Sequence, residues 1–327
     1  MNIDITKLPK KLNEICYFKK EETGTTIYNY SNKNKADVVI IKLEDTEIEN
    51  NFAILGSTLD MVRKLNPVKS VEIKEEQFII KSAKGTFKGK LLNETLPLYN
   101  LSVKNEIKAN LKALKVLSGF TATNDRKPIL EGINLKSDGT MVATDSFKLA
   151  RYKSVEKVDT EDNITIPKTF VDLIKSEITD DEVVLKYNDN TVILEKENIT
   201  YVSGLLAGVY PSVDRLFNPS SLTIEYDTHA LKEAISLSKN VGIDNNGEKY
   251  LSLTFENGKI VAEGVSTFET NIDDNKEEYR FTIQADVLEL VLNNITDEIT
   301  RIGYTAYNRP LNIESNSIEY LLLPIVK

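Results

Sequence analysis

Apolar positions recur along this chain in three segments that superimpose without a gap. They are Phe52, Ile54, Leu59 and Val62; Ile164, Ile166, Val171 and Ile174; and Phe281, Ile283, Leu288 and Val291. The first offset is 112 residues at all four positions and the second is 117. In each segment the first two positions alternate as in a strand, and the last two share one face of a helix. The pattern predicts short strands running into helices near 56–66, 168–176 and 284–294. A period above one hundred residues is too long for a solenoid unit and implies copies of a whole small domain. Such a chain is more often a ring or scaffold than an enzyme with one active site.

A further helix is expected at the start of each third, over 7–18, 103–118 and 228–240, and these three stretches carry nine lysines against three glutamates. On a helical wheel Lys104, Lys108, Lys112 and Lys115 fall within about 80° of one another. Ile107, Leu111, Leu114 and Leu117 form a separate, core-facing stripe. Strands dominate the rest. Asp138-Gly139 and Asn257-Gly258 each separate two alternating runs, a hairpin pattern, as does Asn188–Asn190, and residues 36–43 read as one strand. Boundaries fall near 101–104 and 218–222, which gives domains 1–102, 103–219 and 220–327, the first abbreviated. The class is α+β.

The net charge of −9 argues against a nucleic-acid partner unless the charges are segregated by surface, as the basic helices imply. Cys16 is the sole cysteine, so no intrachain disulfide forms, and a small buried side chain on the first helix is expected. His229, the one histidine, reads as a helix N-terminal residue, because no serine-centred elbow supports a triad. Gly85–Lys90 has glycine spacing one residue short of a phosphate-binding loop, with Leu91 where a Ser or Thr is needed. No nucleophile, base and oxyanion hole assemble, so no enzyme, metal or cofactor is expected. No apolar run approaches 18 residues, and the N-terminus lacks an apolar h-region, which makes a cytoplasmic address the expectation.

Two stretches are more specific. One is residues 127–136 (KPILEGINLK) followed by 142–150 (VATDSFKLA). The other is residues 205–216 (LLAGVYPSVDRL), paired with the C-terminal 320–326 (YLLLPIV). Together they resemble the bacterial DNA polymerase III beta subunits, the replicative sliding clamps. Residues 103–327 follow the family well, 52–101 moderately, and 1–51 look shortened. The resemblance implies three repeated clamp domains, each of two helices on antiparallel sheet. Two chains would then close head-to-tail into a six-domain ring around double-stranded DNA, at a nucleoid-associated address. Lysines would meet phosphates without reading bases. Lys7, Lys11, Lys108, Lys112, Lys115 and Lys232 are the expected pore residues, and Asn124, Arg126 and Lys127 match a family position that touches DNA.

The family also carries a hydrophobic cleft for short peptides of the replicative polymerase catalytic subunit, the clamp loader and other proteins with a clamp-binding motif. Transferred position by position, it comprises Leu130, Thr144, Ser146, Phe147, Lys148 and Leu149, then Pro211, Arg215 and Leu216, then Leu321, Leu323, Pro324 and Ile325. By strand alternation one of Leu321 and Leu323 should be core. Phe147 stands where many members have His, and Lys148 replaces the usual Arg, so partner peptides should differ in detail. Phe87 and Leu237 are the expected ring-interface residues. The alternative is a divergent clamp-like scaffold that no longer encircles DNA.

Overall fold

The computed structural model describes residues 7–65, 68–74, 76–123, 126–154, 163–245, 248–256, 258–264, 266–272, 278–315 and 317–325. Among them are five α-helices: α1 (Gly56–Lys64), α2 (Leu111–Leu117), α3 (Lys168–Ile174), α4 (Thr228–Ser238) and α5 (Ala285–Asn294). Each begins where a strand ends. The strand-to-helix junctions anticipated by the threefold apolar registry are those leading into α1, α3 and α5. All twelve registered side chains are buried, none more than 7% exposed. The repeat is therefore a repeat of core positions, not of surface composition.

Chain contacts divide the protein into two compact units, residues 1–111 with 166–207, and residues 112–165 with 208–327. The first unit is built on an eight-stranded sheet. Its order is Phe52–Leu55, Ile15–Lys20, Thr25–Tyr30, Val38–Leu43, Ile199–Gly204, Thr191–Lys196, Glu182–Tyr187 and Asn105–Asn110. A three-stranded sheet, Val68–Lys74, Gln77–Ser82 and Gly85–Lys90, adds a second layer. Phe18 stacks on Phe52 at 4.5 Å in the core, and Phe52 reaches Phe78 at 6.1 Å. Gly56 opens α1 because its amide meets the Glu14 carbonyl at 2.8 Å, and a Cβ there would lie 2.0 Å from the Asn13 carbonyl oxygen.

The second unit repeats the plan. Its eight-stranded sheet runs Ile164–Pro167, Gly132–Leu135, Met141–Thr144, Lys148–Tyr152, Ile318–Leu322, Leu311–Ser315, Ile299–Tyr304 and Leu222–Asp227. A five-stranded sheet holds Ile243–Asn245, Glu248–Glu256, Lys259–Glu263 and Thr267–Asn271 in order, with Tyr279–Gln284 paired to Glu248–Glu256. Helices α4 and α5 pack together beneath these sheets. Phe255 stacks on Tyr279 at 4.5 Å, and the Tyr226 and Tyr279 hydroxyls bond at 2.8 Å. The expected hairpins are present: Gly139 and Gly258 hold φ of 81° and 70°, a conformation that costs glycine little.

Two expectations fail. No helix spans 7–18; residues 9–13 are irregular, and Ile15–Lys20 is a strand paired with both Thr25–Tyr30 and Phe52–Leu55. Pro9 interrupts any helix, and the run Ile15, Cys16, Tyr17, Phe18 has strand character. The helix expected over 103–118 is a strand, Asn105–Asn110, followed by α2. Ile107 and Ala109 are buried while Lys108 is exposed, a period of two that pairs with Glu182–Tyr187. Lys104, Lys108, Lys112 and Lys115 therefore do not share one helical face. Cys16 is buried as expected, but on a strand. Gly85–Lys90 is an edge strand, not a phosphate loop.

Candidate functional site

The turn after Met141–Thr144 is built by its own side chains. Asp145 Oδ1 accepts from the amides of Phe147 and Lys148 at 2.9 and 2.8 Å, and its second oxygen pairs with Lys148 Nζ. Thr144 Oγ1 accepts from the Ser146 amide at 3.0 Å and donates to the Lys148 carbonyl at 2.8 Å. Ser146 sits at φ 79°, a left-handed position that disfavours bulky residues. Satisfied this way, the turn holds Phe147 72% exposed, although it is one of the larger apolar side chains.

The terminal strand Ile318–Leu322 pairs with Lys148–Tyr152, so Leu321 lies opposite Leu149 and Tyr320 opposite Ala150. Leu321 is buried within the strand, while Leu323, one residue past its end, is 45% exposed; i and i+2 share a strand face, so the end of the strand and not alternation separates them. Over this floor runs the connector 209–217. Val213 is buried against Val142, Leu149 and Leu321, with Tyr210 and Phe217 beside it. The Thr144 amide donates to the Tyr210 hydroxyl at 3.1 Å, and burial pushes that phenol up to about 12. Pro211, Arg215 and Leu216 point to solvent from this connector, and Pro324 and Ile325 are half-buried beyond the strand. Leu130 is fully buried beneath.

The structure thus gathers the expected cleft residues in one unit. Its floor is Leu149, Leu321 and Val213, and its exposed apolar side chains are Phe147, Leu216 and Leu323. Tyr210, Val213 and Phe217 escaped the sequence reading, although the apolar spacing of the connector carried a signal for them.

The basic residues are less uniform. Lys7 pairs with Asp45 at 3.2 Å, and Lys11 is exposed in the irregular segment before the first strand. Lys108 projects from its strand, Lys112 is exposed on α2, and Lys115 is half-buried there. Arg126 and Lys127 are exposed ahead of the single turn Pro128–Glu131. Lys232 on α4 donates to the Ile295 carbonyl at 2.7 Å, which caps the end of α5. Lys239 is held by Asp286 and Glu289 at 2.7 and 2.5 Å, bonds that raise its pKa. His229 lies in the first turn of α4, whose N-cap is Asp227 accepting from Ala230 at 2.8 Å. Asn124 lies outside the described residues. Among the described residues no helix is long and apolar enough to cross a membrane.

The family model for the DNA polymerase III beta subunit, central domain, matches residues 106–212. The beta sliding clamp of Staphylococcus aureus is 26% identical over 327 residues, covering 88% of this chain and 85% of that one. That of Streptococcus pneumoniae is 28% identical over 226 residues; the match spans 64% of this chain and 58% of the relative's length. Among solved structures, the S. pneumoniae DNA polymerase III beta chain aligns with TM-score 0.81 and 19% identity, covering 96% of this chain and 92% of that chain. A Helicobacter pylori beta clamp bound to a DNA ligase peptide aligns at 0.79 with 18% identity, covering 97% and 93%. These structures share the fold: antiparallel sheets with few helices in repeated domains. The family model and the curated relatives are thus both of the beta clamp, and the solved structures are similar in fold.

Proposed function

We propose, from the premise that this chain is a relative of the beta clamps in sequence and fold, that it is a non-enzymatic processivity factor. It divides as 1–102, 103–219 and 220–327, and two copies close into a ring on double-stranded DNA in the cytoplasm. The cleft docks short peptides of the replicative polymerase, the clamp loader and other partners. The observation that carries this reading is the cleft itself. Phe147, Leu216 and Leu323 stand exposed above a buried apolar floor, an arrangement suited to an extended peptide with a Leu or Phe anchor. Each such anchor would contribute roughly 1.5–3 kcal/mol on burial.

Ring closure has support in two open sheet edges. Gly85–Lys90 ends the three-stranded sheet with Lys88 and Lys90 exposed, and Thr267–Asn271 ends the five-stranded sheet with Glu269 exposed. Edges of opposite charge can pair between copies, with half-buried Phe87 at the joint. Leu237, 45% exposed on α4, is the second apolar interface residue in this reading.

One observation favours the scaffold alternative. The first third has a strand where a basic helix was expected, and Lys232 and Lys239 are engaged within the protein. The deciding experiment is loading onto nicked circular DNA by the cognate loader. Retention that is lost on linearisation supports encirclement; no retention at low salt overturns it and leaves the scaffold.

A further inference from the structure

One buried cation near the cleft has no part in the contacts described so far. Arg151 lies on strand Lys148–Tyr152, two residues beyond Leu149 and on the same sheet face, with its side chain only 10% exposed. An arginine so enclosed is costly unless its donors are met. Here they are met from two directions. Glu319, directly opposite in the ladder, accepts from Nε at 2.7 Å and from a second guanidinium nitrogen at 2.5 Å. On the other side the guanidinium carbon lies 3.5 Å from the centroid of the Phe217 ring, and Asp214 stands 3.7 Å away. Phe217 and Asp214 belong to the connector; Glu319 belongs to the sheet.

We propose that Arg151 is a positioning residue of the docking cleft, latching the connector wall to the sheet so that Leu216 and Arg215 face an incoming peptide. This rests on the docking reading above. The turn Asp214–Leu216 is a single 3-10 turn with no buried residue of its own. Its orientation is set by its neighbours: Val213 in the apolar floor on one side, Phe217 under Arg151 on the other. Lys136 adds a second tie, 3.0 Å from both Asp214 oxygens. Arginine suits this place because one planar group bonds a carboxylate along its edge and stacks an aromatic ring on its face. Contact with the peptide itself is not required.

Arg151→Met preserves the stem and removes the latch. Neither carboxylate is stranded, since Lys153 holds Glu319 at 2.8 Å and Lys136 holds Asp214. The probe is a fluorescein-labelled pentapeptide with Leu and Phe anchors, read by anisotropy. Arg151→Met should weaken it about five- to tenfold, but less than about twofold in a Leu216→Ala background, because the latch acts through the wall. Wild-type affinity in Arg151→Met, or an equal penalty in both backgrounds, overturns the proposal. If Arg151→Met does not fold, Lys136→Met replaces it with an expected loss of about twofold, and unchanged binding there overturns it as well. Failure of the docking reading looks different: Leu216→Ala and Leu323→Ala would then both bind as wild type.

Discussion

The amide of Leu323 donates to the carbonyl of Phe147 at 2.9 Å, one step beyond the last ladder pair, Lys148 with Leu322. This bond joins the C-terminal tail to the turn and leaves two large apolar side chains uncovered. Leu323→Ala and Pro211→Ala should each weaken a polymerase-derived peptide, Leu323→Ala by about tenfold, since a buried anchor is worth roughly 1.5–3 kcal/mol. Ring closure should be unaffected. Titration calorimetry measures the first and sedimentation the second.

Self-association predicts a species of twice 36.9 kDa in sedimentation equilibrium. Lys88→Glu combined with Lys90→Glu places acid on an edge expected to face Glu269, and should shift the equilibrium toward monomer. Glu269→Lys in the same chain should restore part of the dimer. A strictly monomeric wild type at micromolar concentration counts against the ring.

Lys108→Glu with Lys112→Glu should shorten clamp-dependent retention on DNA at low salt. It should also flatten the salt dependence, since each lost phosphate contact removes about 0.9 from the logarithmic slope. Sequence preference should remain absent, because no base edge is read.

Cys16 offers a pH-dependent test. Burial pushes its thiol up to about 12, opposed by a hydrogen bond from Asn29. The thiolate is the reactive form, so maleimide should label the native protein slowly at pH 8 and label the unfolded chain quickly. The unfolded thiol ionises near its ordinary value of 9.0 while the folded one keeps its proton. Stability must therefore fall as pH rises from 9 toward 12. Cys16→Ala should reduce that alkaline loss in urea titrations.

Ile166→Ala deletes a fully buried member of the apolar registry and should cost about 2–5 kcal/mol, as cavity-forming substitutions do. Urea denaturation followed by circular dichroism reads the shift.

The sequence carried the core registry because burial imposes periodicity directly on residue type. The turn at Thr144–Lys148 was equally readable, since Asp145 and Ser146 meet local backbone needs. The strand Asn105–Asn110 was misread because Lys104, Lys108 and Lys112, four residues apart, fit a period of two as well as one of 3.6. Its pairing with Glu182–Tyr187, more than seventy residues away, decides the matter. Lys232 and Lys239 were legible as charges but not as partners: the Ile295 carbonyl, Asp286 and Glu289 reach them only once α5 is folded alongside. Arg151 was unremarked for the same reason, its partners lying 63 to 168 residues further along the chain.

Both eight-stranded sheets are spliced from successive thirds of the sequence, Val38–Leu43 joined to Ile199–Gly204 and Lys148–Tyr152 to Ile318–Leu322. Residues 103–219 thus own no complete sheet: half their strands finish one and half begin the other. An excised middle third would expose open edges on both halves and should aggregate rather than fold. Loss of either flanking third by truncation or proteolysis would likewise strip the middle of its pairing partners. The copied domain is a unit of inheritance, but the unit of folding is the join between copies.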